Sequence, residues 1–418
     1  MQSVAKVYNI CRIFAAKLNN VSMKDVKRIQ YLMWLSEWKD KQIIKVITGI
    51  RRCGKSTLMR QYQTELLQAG VAEEQIISLN FEDMSLSHLL TAEALHQYIV
   101  SRLQEGRMNY IFMDEVQLVE DFQRAVNSLY LRTNVDIYLT GSNAGLLSGE
   151  LATLLAGRYV SINMLPFAYG EYAGVVEGYS RDVYDRYISE SSFPYTLNLE
   201  KTQLKDYLSS LYDTIVLRDI VSRSQLQSVD MLNRIIRFLA DNIGNLTSAK
   251  SIADTFASNG RKVSSHTIDS YMQAILSGYL FYRVGRYDVH GKEHLKVGAK
   301  YYIADIGLRN WMANFRQGDA GRVLENIVFL ELFRRRKQIS VGKVGQTEID
   351  FVCTDANATE YYQVALSVLD EQTLQRELTP LRDVKDHYPR YLLTLDHVPP
   401  VDHNGIRQLY VIDWLLGK

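Results

Sequence analysis

Ile44-Lys45-Val46-Ile47-Thr48-Gly49-Ile50-Arg51-Arg52-Cys53-Gly54-Lys55-Ser56-Thr57-Leu58 is the stretch that decides the fold. The run Ile43–Thr48 reads as an apolar strand, and Thr57–Gln68 follows with helical spacing at Leu58, Tyr62, Leu66 and Leu67. Between them, Gly49 to Ser56 fits the pattern GxxxxGK[ST] in a strand–loop–helix setting. Each residue type has a mechanical reason. Glycines let backbone N–H groups curl around phosphate oxygens, and the following helix points its positive N-terminus at them. Lys55 can reach the β- and γ-phosphates, and the Ser56 hydroxyl can ligate Mg²⁺. The expected nucleotide-binding set is Gly49, Ile50, Arg51, Arg52, Cys53, Gly54, Lys55, Ser56 and Thr57.

A second motif lies downstream. Tyr110-Ile111-Phe112-Met113-Asp114-Glu115 is an apolar strand ending in two acids. Carboxylates at the C-terminal edge of a parallel strand face the crevice where ligands bind. Asp114 is expected to hold Mg²⁺ through its water shell, and Glu115 to polarise the attacking water. A third strand ends in Thr140-Gly141-Ser142-Asn143, where Ser142 and Asn143 are both eligible to sense a γ-phosphate. Asn143 is carried as a catalytic candidate, against the plainer reading of a polar turn. Arg158, in Ala156-Gly157-Arg158, is the expected arginine finger, with Arg51 and Arg52 as further candidates. No NKxD-type guanine-reading signature follows the loop, which favours ATP over GTP.

Around these motifs, Ile76–Asn80, Tyr110–Met113 and Val135–Thr140 are short β-branched or aromatic runs, separated by helical Leu89–Arg102 and Phe122–Leu131. The alternation predicts an α/β fold: a P-loop parallel sheet with helices on both faces. A formal net charge of +1 excludes a chain that coats nucleic acid by bulk charge and leaves a local basic patch to be sought. Cys11, Cys53 and Cys353 lie far apart without metal-ligand spacing, so neither a disulfide framework nor a structural zinc site is expected, and the cytoplasm is the natural compartment. No apolar run approaches the length of a membrane span, so no membrane association is expected. Met1–Asn20 is interrupted by Arg12 and Lys17 and reads as a short extension rather than a secretory signal, with Met23 as an alternative start.

With these residues in hand, the chain resembles a bacterial and archaeal family of AAA-type ATPases that carry a C-terminal domain of unknown function. The resemblance rests on Ile44–Leu58, Asn80-Phe81-Glu82-Asp83, Met113–Gln117, Leu139–Asn143 and Gly157-Arg158, then on Leu324–Leu332, Thr347–Val352 and Tyr362–Ala365. It implies ATP hydrolysis and a middle winged helix. The expected division is an extension (1–25), an AAA-type ATPase domain (26–200), a winged helix-turn-helix domain (201–310) and an α/β nuclease-like domain (311–418).

In the middle segment, helical Met231–Ile243, Ser248–Ser258 and Ser264–Leu276 precede strand-like Tyr279–Tyr287 and Lys300–Ile303, as in a winged helix. The first turns of the third helix carry no arginine or lysine, so direct guanine readout is poorly provided for. Arg283, Arg286, Lys292, Lys296 and Lys300 on the wing are expected to make at most weak contacts with duplex phosphates. Farther on, Glu325 on a helix, Glu348 and Asp350 on a strand and Gln363 on a later strand resemble the order of a PD-(D/E)XK nuclease, whose acids hold Mg²⁺. Ala365 stands where that pattern has lysine, so the domain is expected to be inactive; Lys343 is the nearest lysine able to take the role.

The function expected is an Mg²⁺-dependent ATPase acting as a nucleotide-driven conformational switch, slow without a protein partner or a second copy of itself. The alternatives are a DNA-associated winged-helix regulator with nucleotide-tuned binding, and an ATP-dependent nuclease.

Overall fold

The computed structural model describes residues 26–144, 155, 157–176, 180–224, 226–313, 316–355 and 358–418. The 1–25 extension, with Cys11 and Met23, lies outside the described residues, as does Ala156. After helix α1 (Ile29–Glu37) come β1 (Ile44–Thr48), α2 (Lys55–Gln68), β2 (Ile76–Asn80), α3 (Ala92–Val100), β3 (Asn109–Asp114), α4 (Phe122–Tyr130), β4 (Val135–Gly141) and β5 (Tyr159–Asn163). These strands form one parallel sheet in the order β2-β3-β4-β1-β5. Every residue of β1, β3 and β4 is buried, as expected of parallel strands covered on both faces. The edge strands β2 and β5 are partly exposed. Strand β5, which the sequence reading missed, has a mixed polar pattern for that reason.

The register fixes the site. Thr48 lies beside Gly141 on one side and Asn163 on the other, and Asn80 lies beside Asp114. The P-loop, the acid pair and Ser142-Asn143 therefore leave the sheet at one edge, with β4 inserted between β1 and β3.

A helical region follows: α5 (Tyr169–Ala173), α6 (Ser180–Ser189), α7 (Lys201–Thr214), a π-helical turn over Ile215–Ile220, then α8 (Val229–Asp241), α9 (Ala249–Ser258) and α10 (Ser265–Ser277). The hairpin β6 (Phe281–Asp288) and β7 (Glu293–Ile303) comes next. This hairpin, expected as the wing of a separate 201–310 unit, is built into the following sheet: β6 pairs in parallel with β8 (Gln338–Val344). The resulting eight-stranded sheet also holds β9 (Thr347–Thr354), β10 (Thr359–Ala365), β11 (Arg390–Thr394), β12 (Val401–Asp402) and β13 (Ile406–Tyr410). Helix α11 (Ile306–Ala313) and helix α12 (Ala320–Arg334) separate its two parts, and α13 (Glu371–Arg382) and α14 (Val411–Leu415) complete the chain. The apolar run Leu409–Ile412, which by itself reads as a strand, is the end of β13 and the start of α14.

One continuous cluster of buried side chains runs from Tyr31 and Leu58 through Leu232 and Phe281 to Phe329 and Leu415. Polar contacts pin the two sheets together. The Tyr282 hydroxyl donates to Asn163 Oδ1 at 2.7 Å, and the Arg334 guanidinium donates to the carbonyls of Pro166 and Phe167 at 3.0 and 3.1 Å. Among the described residues no helix is long and apolar enough to cross a membrane.

Candidate functional site: a P-loop closed by a helical turn

Gly49 and Gly54 both have positive φ, +144° and +108°. A Cβ at Gly49 would stand 2.1 Å from the Met164 carbonyl oxygen, so glycine is required there by contact as well as by backbone angle. From beneath, the buried Arg28 guanidinium donates to the carbonyls of Cys53 and Leu165 at 3.0 and 2.8 Å, bracing the loop against the end of β5. Cys53 and Cys353 are free and buried.

Lys55 opens α2. Its Nζ donates to the loop's own carbonyls, Gly49 O at 3.0 Å and Ile50 O at 3.4 Å, and lies 3.8 Å from Glu115 Oε1. Ser56 and Thr140 both hydrogen-bond to Asp114. Burial pushes the Asp114 carboxyl up, against those two hydrogen bonds. The neighbouring Glu115 differs. Burial raises it too, but Lys55, Gln117 and Arg51 outweigh the effect and hold the carboxyl below its ordinary range. Glu115 is therefore ionised at neutral pH, and its positive φ of 54° is fixed by an N–H donated to Thr140 Oγ1 at 3.0 Å. The donor set, a hydroxyl beside a carboxylate next to a phosphate-binding loop, suits Mg²⁺ with retained waters. Lys55, Ser56 and Glu115 line one cavity of about 590 Å³, together with Arg51, Arg60 and a far wall of Pro194, Tyr195 and Tyr207.

The remaining candidates divide. Ser142 and Asn143 are buried at this site: Ser142 Oγ donates to Glu115 Oε2 at 3.2 Å, and Asn143 Nδ2 donates to the Asp219 carbonyl at 2.8 Å. Arg51 and Arg52 both line the cavity, Arg51 paired with Asp219 and Arg52 exposed at the loop's rim with φ +67°. Arg158 does not belong to it. It precedes β5 at the end opposite the P-loop, where its carbonyl accepts from Ile44 N–H and its guanidinium bonds Asn127 and covers the Tyr130 ring. The length of β1 separates it from Lys55, so it cannot act as a finger for its own site. Asp219, on the π-helical turn, was missed. The signal was available: Ile215, Val216, Asp219 and Ile220 share one buried helical stripe, and an acid on such a stripe requires a partner.

The geometry agrees with comparisons to known proteins. A family model described as an AAA domain matches residues 41–173, and one described as a domain of unknown function (DUF8612) matches residues 181–319. An uncharacterized protein of Haemophilus influenzae is 40% identical over 397 residues, covering 94% of this chain and 98% of its own. The chain belongs to one family with that protein, and its own residues 41–173 carry the AAA domain. Uncharacterized protein MJ1544 of Methanocaldococcus jannaschii is 30% identical over 356 residues, 80% of this chain and 77% of that one. Among solved structures, the Walker-type ATPase paby2304 of Pyrococcus abyssi is similar at TM-score 0.46 and 16% identity, covering 68% of this chain and 95% of that chain.

The C-terminal acids of this AAA-family protein meet as their order suggested, but around an unexpected partner. Lys300 Nζ lies 2.9 Å from Glu325, 2.8 Å from Glu348 and 3.2 Å from Asp350. Tyr302 donates to the same Glu325 oxygen at 2.6 Å. Lys300 is 4% exposed, so it does not meet phosphates as a wing residue. Lys343 is half-exposed and turned toward Asp288, 4.0 Å away, so the lysine among the acids comes from β7 and not from β8. Gln363 bonds the Asp350 N–H and Glu377, while Ala365 contributes no polar group. Burial and the Glu325 charge push Asp350 up to about 7, against the pull of Lys300. Of the other basic wing residues, Arg283 and Lys292 are exposed and Arg286 is half-buried; the side chain of Lys296 lies outside the described residues.

Proposed function

We propose that this AAA-family protein hydrolyses ATP with Mg²⁺ and uses the cycle as a conformational switch. The observation that carries the reading is the convergence of Lys55, Ser56 and Glu115 on one cavity, with Asp114 bonded to Ser56 behind it. Bound Mg²⁺ would supply charge neutralisation between the β- and γ-phosphates, held by Ser56 and, through water, by Asp114. Lys55 is placed to exchange two backbone carbonyls for phosphate oxygens. Glu115, ionised and steadied by Gln117 and Ser142, is placed to take a proton from the attacking water. The pair Tyr195 and Tyr207, ring centroids 5.3 Å apart, gives the cavity an aromatic wall for a purine.

With Arg158 at the far end of the sheet, the cations lining the cavity among the described residues are Arg51, Arg52, Lys55 and Arg60. Turnover is accordingly slow in the isolated protein and faster with a protein partner or a second copy. The three helices α8–α10 and their hairpin serve as a contact surface: the exposed start of α10 reads Ser265, His266, Thr267 and Asp269, with no cation for phosphate or guanine. The C-terminal acids are neutralised from within by Lys300, and we read that domain as non-cleaving.

Phosphate release from Mg·ATP tests the proposal. Glu115→Gln should keep nucleotide affinity and lower turnover by about 10²–10⁴, the effect typical of losing a catalytic general base. Wild-type turnover in that variant would refute the assignment of the two acids, and tighter binding of GTP than ATP would refute the base preference.

A further inference from the structure

Asp219 gathers the polar side chains beside the P-loop and the end of β4. Its carboxylate accepts a bidentate pair from Arg51, Nε to Oδ2 at 2.8 Å and Nη2 to Oδ1 at 3.0 Å. Ser142 Oγ lies 3.1 Å from Oδ1 and 3.2 Å from Glu115 Oε2, so its single proton is shared between the two carboxylates, and Asn143 Nδ2 donates to the Asp219 carbonyl at 2.8 Å. Asp219 itself is 1% exposed. One residue of the helical region thus engages the loop arginine and both eligible sensors of the sheet domain. It does so from a π-helical turn, a widened geometry that costs regular helix hydrogen bonding and recurs at functional sites.

We propose that the Asp219 carboxylate and the ATP γ-phosphate compete for Arg51 and Ser142, making Asp219 the residue by which the site distinguishes a nucleoside triphosphate from a diphosphate. The inference rests on the ATP reading above and specifies its regulation. The Arg51 guanidinium gives two nitrogens to Asp219 and the third to Glu82 at 3.1 Å, so its donors are already used, and a further anion at the fork repels the carboxylates that hold it. Arg51 lines the same cavity as Lys55 and Glu115, so a terminal phosphate held by Lys55 lies within the field of that fork. A diphosphate brings no charge to that position and leaves Asp219 where it is.

Release of Asp219 has a defined outlet. The next residue, Ile220, packs so closely on Gly278 that a Cβ there would stand 2.8 Å from Ile220 Cγ1. Gly278 ends α10, and the following Tyr279, at φ +56°, hydrogen-bonds Thr48 and Asn163 at the foot of the P-loop. A shift of the π-helical turn therefore moves the junction of α10 with β6, which returns to the nucleotide site through Tyr279.

The test compares ATP and ADP affinities of the full chain in a Glu115→Gln background, so that ATP persists, with and without Asp219→Asn. The expected result is an ATP affinity about tenfold higher in Asp219→Asn, the scale of one charge-assisted hydrogen-bond pair, with ADP affinity unchanged. Arg51→Ala added to Asp219→Asn should erase the gain. Equal shifts for both nucleotides, or weaker ATP binding, would overturn the proposal, the latter making Asp219 an orienting group for Arg51. A second measurement needs no substitution at Asp219: amide hydrogen exchange over 215–224 should rise with ATP and not with ADP in the Glu115→Gln chain. Identical exchange with the two nucleotides counts against the competition. Failure of the Glu115→Gln chain and the wild type to bind either nucleotide sinks the ATP reading itself, whereas binding of both without discrimination sinks only the role of Asp219.

Discussion

Lys55 and Lys300, two of the three buried lysines that stand beside carboxylates among the described residues, are built for opposite purposes. Lys55 is held by two backbone carbonyls and one carboxylate 3.8 Å away, and it faces a cavity. Lys300 is clasped by three carboxylates within 3.2 Å and does not line that cavity. The first arrangement leaves charge to offer an incoming phosphate; the second spends it internally. A cation near acids is thus not a signature of catalysis by itself. What matters is whether its present partners are weak enough to exchange.

The comparison can be broken most decisively at Lys300. Lys300→Met leaves three carboxylates without their counter-charge and should lower stability by about 3–5 kcal/mol in chemical denaturation at pH 8, as for other broken buried pairs. A loss below about 1 kcal/mol would show that the clasp is no lock. At Lys55 the effect should appear in ligand binding. Lys55→Ala should weaken ATP affinity about 100-fold, roughly 2.7 kcal/mol, while changing the unfolding midpoint little; titration calorimetry and thermal melts separate the two.

Acidity gives a smaller signal. Asp350 is pushed up to about 7 in the fold, above its unfolded value near 4, so the folded protein keeps a proton that the unfolded chain releases. That contribution is fully present below about pH 4 and is lost as pH rises through 7. Asp350→Asn removes it, and the stability gap to wild type should move in the variant's favour by about 2 kcal/mol between pH 5 and 8. A pH-independent gap would contradict the raised Asp350. The smallest effect is expected at the hairpin's tip. Exposed Lys292, unlike Lys300 at the hairpin's root, is free to meet phosphate, and Lys292→Glu should reduce a weak duplex DNA affinity by less than about tenfold and flatten its salt slope by about one unit. Neither form should cut plasmid DNA in Mg²⁺; cleavage abolished by Asp350→Ala would reverse the reading of the C-terminal acids.

The sequence by itself determined the nucleotide site's frame. The P-loop, Asp114, Glu115 and the Ser142-Asn143 strand end were legible because each sits in a short local pattern whose period and end residues are set by the backbone: an apolar run on a doubly covered strand, then the polar residues where it leaves the sheet. The order of acids at Glu325, Glu348 and Asp350 was legible for the same reason. Tertiary structure decided what completes each site. Arg158 looked catalytic because the charge of a γ-phosphate calls for a basic group, yet parallel connections return the chain to the opposite end of the sheet, and there it stays. Asp219 and Lys300 reach their partners from 168 residues beyond Arg51 and 25 before Glu325, on elements whose packing no local period encodes. A hydrogen bond or ion pair is satisfied by position in space and is indifferent to separation along the chain, so the partners of buried charges were fixed only once the two sheets closed on one core.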